Sequence, residues 1–177
     1  FADLVSFTQR SNELTPEEVM ETARSAFELS SEVLKRHDAR PLSYLGDGLL
    51  AHTAGDHHAQ RGLAFACDFT RRCHNVTRIR QALWGDEALP LRFQMDVRCG
   101  VATGPVVLGT LGSLAKLEFT AIGMTVNRAA RLQGKAEPNQ VIADAAIDSP
   151  WAGKGSRETH RLKGIDGDIQ AARIRVV

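Results

Sequence analysis

The chain has 177 residues, 43% of them hydrophobic and 24% charged, with a formal net charge of +1. That balance fits a single globular domain over residues 1–177 and gives no bulk electrostatic case for nucleic acid. No apolar run approaches the roughly 18 residues of a membrane-spanning helix, and no signal peptide is visible.

The elements follow in chain order. Residues 1–5 read as the end of a strand, with no room for the rest of it before Asp3. A longer natural chain, with a regulatory or anchoring part upstream, is therefore expected. Thr15-Pro16-Glu17-Glu18 is a helix start: Thr15 as N-cap, proline at the first helical position, and a glutamate to complete a capping box. Val19, Ala23, Phe27, Val33 and Leu34 carry its apolar stripe to about His37. Pro41 to Leu50, with Gly46-Asp47-Gly48 between apolar stretches, predicts a hairpin. Residues 57–82 predict one long helix, followed by a polar loop from Trp84 to Pro90. Leu91, Phe93, Met95, Val97, Cys99 and Val101 alternate with polar or small residues, the period of a half-buried strand. Two more strands, Val106 to Leu111 and Leu117 to Ile122, flank Gly112-Ser113. A helix from Met124 to Leu132 closes at Gly134. Strands at Val141-Ile142, Thr159 to Leu162 and Ile169 to Val176 complete the chain. Helices interspersed among hairpins predict an α+β fold with a mainly antiparallel sheet. Cys67, Cys73 and Cys99 have neither CxxC nor metal-ligand spacing and read as reduced thiols, implying a cytoplasmic domain.

Asp3 ends the first strand and Asp47 sits in a glycine-flanked turn. If those strands are neighbours, the carboxylates converge at one end of the sheet as hard-oxygen ligands for Mg²⁺ or Mn²⁺. Taken alone, Asp3 is also an ordinary polar strand end and Asp47 an ordinary turn residue. Asn127 and Arg131, four apart, share a helix face, and Arg128 lies off it by about 100°. An amide and a guanidinium projecting together suit a ribose and a charged phosphorane, although such a pair is commonly just a solvated face. Lys163 is anonymous by itself. The segments Gly100–Gly104 and Gly109–Ser113 lack the Gly-Lys-Ser/Thr ending of a P-loop and fit a flexible hairpin arm. HExxH, GxSxG and Rossmann patterns are absent, and His57-His58 reads as a solvated helix start.

Together these segments resemble, in order, the motifs of class III adenylate and guanylate cyclases. Phe1 to Thr8 resembles the opening metal motif, and Leu45 to Ala51 the second metal motif. Gly100–Gly104 with Gly109–Ser113 is similar to the strand and dimer-arm segment. Thr120 to Leu132 is similar to the helix that carries the ribose and transition-state residues, and Leu162-Lys163-Gly164 to the phosphate-binding lysine motif. The resemblance implies a ferredoxin-like (palm-type) sheet flanked by helices. It implies two divalent metal ions on Asp3, Asp47 and the Leu4 carbonyl, and terminal phosphates held by the backbone at Phe7 and Thr8 and by Lys163. Asn127 would orient the ribose and Arg131 stabilise the transition state. The implied assembly is a homodimer with two shared sites.

Base choice is less clear. The two positions that the family uses hold Ser43 and Thr120. Thr120 resembles the threonine-bearing subgroup of adenylate cyclases. Ser43 matches neither the adenine-selecting lysine nor the guanine-selecting glutamate, and a hydroxyl both donates and accepts. Ser6 replaces a usual glycine beside the phosphate-binding turn. The resulting expectation is cyclisation of ATP. The alternatives are a guanylate or mixed-specificity cyclase using GTP, a non-catalytic cyclase-homology domain, and an unrelated metal phosphohydrolase.

Overall fold

The structure is a computed structural model that describes residues 1–113 and 115–177. Strand β1 (Ala2–Leu4) leads into a short helix α1 (Phe7–Glu13) and then α2 (Pro16–Arg36). The capping box at α2 is complete: Thr15 Oγ1 accepts from the Glu18 amide at 3.3 Å, and the Glu18 carboxylate accepts from the Thr15 amide at 3.0 Å. This satisfies two N–H groups that the first turn leaves without helical acceptors. The buried face of α2 is Thr22, Ala23, Ala26, Ser30, Val33 and Leu34, spaced at the helical period.

The predicted hairpin forms as β2 (Arg40–Leu45) and β3 (Gly48–His52), joined by the two residues Gly46 and Asp47. Gly46 has φ of +65°, a conformation that a two-residue hairpin turn demands and glycine supplies cheaply. Helix α3 (His58–Trp84) follows, two residues longer at its end than its sequence pattern indicates. Next come β4 (Val97–Val101), β5 (Val107–Ser113), β6 (Lys116–Ile122), α4 (Met124–Gln133), β7 (Gln140–Asp144), β8 (Ser156–Arg161) and β9 (Asp168–Arg175).

Seven strands form one sheet in the order β2-β3-β1-β4-β7-β9-β8. Every neighbouring pair is antiparallel except β4 with β7. Within it, β2-β3-β1-β4 with the intervening helices is the split βαβ arrangement of ferredoxin-like folds. The expected α+β architecture is the one observed. β5 and β6 stand apart as a two-stranded arm. The helices lie on opposite faces of the sheet. Cys99 Sγ lies 3.4 Å from Thr70 Oγ1 of α3, whereas its neighbour Gly100 faces α4. A Cβ on Gly100 would overlap the Ala129 carbonyl and lie 2.7 Å from Gln133 Cα, so α4 rests directly on the β4 backbone.

One reading of the sequence needs correction. The alternating run from Leu91 is a strand only from Val97, and Leu91–Phe93 is a 3-10 turn. The β1 ladder ends where Leu4 meets Val97, so the residues before Val97 have no strand to pair with there. Phe93 packs instead on Trp84, with ring centroids 5.4 Å apart. α1 begins at Phe7, at the backbone to which the resemblance assigns the terminal phosphates. Its sequence FTQRSNE has no apolar stripe, and it docks through Arg10, which is 1% exposed.

Candidate active site

Register builds the centre of the site. In the β1–β3 ladder Asp3 stands opposite Gly48, the residue after Asp47. The Leu4 amide donates to the Asp47 carbonyl at 3.4 Å, which brings the tip of the hairpin against the end of β1. A Cβ on Gly48 would lie 3.6 Å from Asp3 Oδ1, so the backbone passes close beside that carboxylate. Burial, then hydrogen bonding with Asp3 and the charge of Asp3, push the Asp47 carboxyl up to about 7, with Arg98 opposing. Two carboxylates held side by side, with Arg98 offsetting only part of their charge, suit a cation.

The surrounding residues fix Asp3 in place. Its Oδ2 accepts from Arg98 Nη2 at 3.0 Å and from Gln133 Nε2 at 3.2 Å. Arg10 Nε donates to the Val5 carbonyl at 3.1 Å, and its guanidinium also donates to the Leu91 carbonyl. The Arg10 charge acts favourably on Asp96 and Asp47. His74 Nδ1 meets Asp96 Oδ1 at 3.0 Å. None of these partners was singled out from sequence. Arg98 and Asp96 were visible as polar positions of the period-two run, but no pattern ties them to Asp3. Arg10 and Gln133 carry no sequence signal at all.

The remaining expected residues are placed differently. Asn127 and Arg131 lie one turn apart on α4, and both are exposed. Lys163, just after β8, is exposed as well. Their side chains make no hydrogen bond or ion pair with one another or with the aspartates among the described residues, and the cation that offsets Asp47 from β4 is Arg98. Phe7 and Thr8 open α1, where first-turn amides lack helical acceptors. Ser6, the residue before them, has φ of +62°, the left-handed region where glycine is at ease. Ser43 lies on β2 opposite Leu50 and Thr120 on β6 opposite Gly109, both half-buried. β6 runs beside β2. A cleft of about 120 Å³ opens between the far ends of β3 and β4, beyond Phe1. Leu42 and Ala121 border it, while their neighbours Ser43 and Thr120 do not.

The β5–β6 arm carries an apolar surface. Val107, Leu111, Leu117, Phe119 and Ile122 are each more than half exposed. By register Val107, Leu111 and Ile122 share one face of the hairpin and Leu117 and Phe119 the other, a density of exposed apolar side chains beyond the scattered single ones that are ordinary. Cys67, Cys73 and Cys99 are free thiols, all buried. Among the described residues no helix is long and apolar enough to cross a membrane, and no three His, Cys, Asp or Glu side chains cluster as a metal cage.

Fold and register define a ferredoxin-like α+β domain with two aspartates at one end of its sheet, and comparison with known proteins gives that class its family. The profile of the adenylate and guanylate cyclase catalytic domain matches residues 1–161. The chain belongs to this family of class III nucleotide cyclase domains. Adenylate cyclase 1 of Rhizobium meliloti is 32% identical over 153 residues, which is 83% of this chain and 22% of the relative. The receptor-type guanylate cyclase gcy-4 of Caenorhabditis elegans is 27% identical over 154 residues, 84% of this chain and 13% of the relative. The chain thus spans less than a quarter of either relative. The solved guanylyl cyclase Cya2 superposes with a TM-score of 0.83 at 22% identity, covering 98% of this chain and 88% of that one. The adenylyl cyclase CyaB of P. aeruginosa gives 0.79 at 19% identity, covering 98% and 90%.

Proposed function

We propose that the chain converts ATP to 3′,5′-cyclic AMP and pyrophosphate, with Mg²⁺ or Mn²⁺, at two sites shared across a homodimer. The observation that carries this reading is the register that sets Asp3 beside Asp47. A donor set of two carboxylates and the Leu4 carbonyl suits a hard cation that completes its shell with substrate phosphates. The proton affinity of Asp47, raised first by burial and then by Asp3 beside it, supports the same fit, because a cation relieves the like-charge part. When bound, two such ions would lower the pKa of the ribose 3′-hydroxyl and neutralise charge on the departing pyrophosphate.

The protein's own groups do the rest. Arg98 and Gln133 hold the Asp3 carboxylate in one orientation. The amides of Phe7 and Thr8 and the Lys163 ammonium take the terminal phosphates, Asn127 orients the ribose, and Arg131 offsets charge on the phosphorane. The exposure of Asn127, Arg131 and Lys163 favours their acting on the nucleotide of a neighbouring subunit rather than on their own aspartates. The apolar arm supplies a surface for that assembly, and a symmetric pair of such chains holds two complete sites.

For the base, Thr120 and the similarity to an adenylate cyclase favour ATP. The similarity to receptor-type guanylate cyclases favours GTP as the second reading. Incubation of the purified protein with Mn²⁺ and either nucleotide tests both, with cyclic product and pyrophosphate measured together. The expected result is cyclic AMP in excess over cyclic GMP. A protein that makes neither product under Mn²⁺ or Mg²⁺ sinks the catalytic reading, and cyclic GMP in excess reverses the choice of base.

A further inference from the structure

We propose that Arg128 is a positioning residue, which sets where Asn127 and Arg131 stand by clamping α4 to the β4–β5 loop and to the end of β7. The inference rests on the cyclase reading above, and it gives a role to a residue that lies within the Thr120–Leu132 segment but off the face of Asn127 and Arg131.

The clamp is an ion pair closed by two hydrogen bonds. Arg128 Nη2 pairs with Asp144 Oδ2 at 2.9 Å and donates to the Thr103 carbonyl at 2.7 Å. The same Asp144 oxygen accepts from the Thr103 amide at 3.3 Å. Three elements therefore meet at one guanidinium: α4 through Arg128, the β4–β5 loop through both backbone groups of Thr103, and β7 through its last residue. The ion pair is well shielded, with 24% of the Arg128 side chain and 8% of the Asp144 side chain exposed. Thr103 is tied further to the start of α3, where His58 Nε2 lies 3.1 Å from its hydroxyl. One turn before Arg128 the Thr125 hydroxyl donates to the Pro105 carbonyl at 2.9 Å, fastening the same helix to the same loop.

Stability alone accounts poorly for such a pair, since a shielded ion pair is often no better than apolar side chains of similar volume. What it does supply is direction. Gly100 and Ala129 set how closely α4 lies on the sheet, while the side chains that anchor it, Leu132 in the core with Thr125, Gln133 and Arg128, set its rotation about its own axis. Among them Arg128 is the anchor that joins α4 to two other elements at once. It neighbours Asn127 and lies three residues before Arg131, so a turn of the helix moves both side chains together. A rotation of ~20° carries a side-chain tip ~6 Å from the axis through ~2 Å. Misplacement of ~1 Å at a reacting centre can cost ~100-fold in rate.

The test separates position from folding. Arg128→Met, Arg128→Lys and the paired Arg128→Met/Asp144→Leu replacement are assayed for cyclic nucleotide formation, with melting followed in parallel. The paired variant removes both charges, so it folds without a stranded carboxylate even if Arg128→Met alone does not. The expected outcome for the paired variant is a kcat lowered ~30-fold or more with KM within ~3-fold and melting close to wild type, because ground-state binding survives while transition-state groups are misplaced. Arg128→Lys, which keeps the charge but loses the planar fork, should recover part of kcat. Mixing adds a readout that a general structural defect would not give. The paired variant mixed with Asp47→Ala should regain activity, because its damage lies only in the half that carries Asn127 and Arg131. Mixed with Arg131→Ala it should stay inactive. A paired variant with wild-type kcat, or one rescued by Arg131→Ala instead of by Asp47→Ala, overturns the proposal while leaving the cyclase reading intact. A wild-type protein without cyclase activity overturns that reading and this proposal with it.

Discussion

The aspartate end of the sheet and the exposed face of α4 are built on opposite plans. Asp3 is gripped by strand register, by Arg98 and by Gln133, and Asp47 is locked in a two-residue turn. Asn127, Arg131 and Lys163 project into solvent with no partner for their side chains among the described residues. One half is pre-organised within a single chain, down to a carboxyl that holds its proton to about pH 7. The other half is presented outward, Asn127 and Arg131 on α4 and Lys163 just after β8. A site completed by a second subunit would need this division: the cation-binding half must exist before the partner arrives, and the partner-facing half must stay accessible.

The sharpest way to break the comparison is to destroy one half in each of two proteins. Asp47→Ala and Arg131→Ala should each lower cyclase activity ~1,000-fold. An equal mixture, after subunit exchange, should recover about a quarter of wild-type activity, since half of the dimers then hold one intact site of two. No recovery despite demonstrated exchange would show that both halves serve the same subunit. The next largest effect is expected at the arm. Phe119→Asp places a charge on the exposed apolar hairpin. It should shift the protein to a monomer in sedimentation and cut activity at sub-micromolar concentration ~100-fold, with melting nearly unchanged. A dimer that persists would mean that the arm is not the contact.

Smaller effects probe the aspartate half by itself. A carboxyl whose folded-state pKa is raised weakens folding once it ionises. That cost is fully present above pH 7 and fades as pH falls toward the unfolded value of about 4. Asp47→Asn should therefore raise the melting temperature of the metal-free protein by a few degrees (~2–5 °C) at pH 8, by roughly a third as much at pH 5 and hardly at all at about pH 3. The apparent Mn²⁺ affinity of the wild type should drop about tenfold per pH unit below 7, by titration calorimetry. A flat profile would remove the carboxylate coupling. Smallest is the turn before α1. Ser6→Gly relieves a left-handed backbone and should add about 0.5–1 kcal/mol in chemical denaturation. A loss of stability there would mean that the serine side chain contributes more than its backbone costs.

Much of this was legible in sequence because local chemistry set it. The capping box at Thr15 and the glycine-flanked turn at Asp47 each need only a few adjacent residues, and each formed as read, whereas the α2 stripe held at Ala23, Val33 and Leu34 but left Val19 and Phe27 half-buried and took in Thr22, Ala26 and Ser30. What escaped depended on neighbours distant along the chain. The alternation from Leu91 to Met95 matched a strand, but no strand lay beside it to complete a ladder. The docking of α1, through one buried arginine instead of an apolar face, has no local signal. Asp3 and Asp47 could be paired only on the condition that their strands were adjacent, and the sheet order satisfies that condition. Arg98, Gln133 and Asp144 became part of the site or its support through hydrogen bonds spanning 95, 130 and 41 positions. No spacing rule reaches that far.

Gly100 bears on how this protein tolerates change. With the α4 backbone resting on it, the interface between sheet and helix has no clearance to absorb even one methyl group. An alanine at that position would act as a shim, lifting the helix by the thickness of the added atom and carrying Asn127 and Arg131 with it. The position bears no charge and no hydrogen-bonding side chain, yet it works as a gauge block for the outward-facing half of the site, and its tolerance is zero.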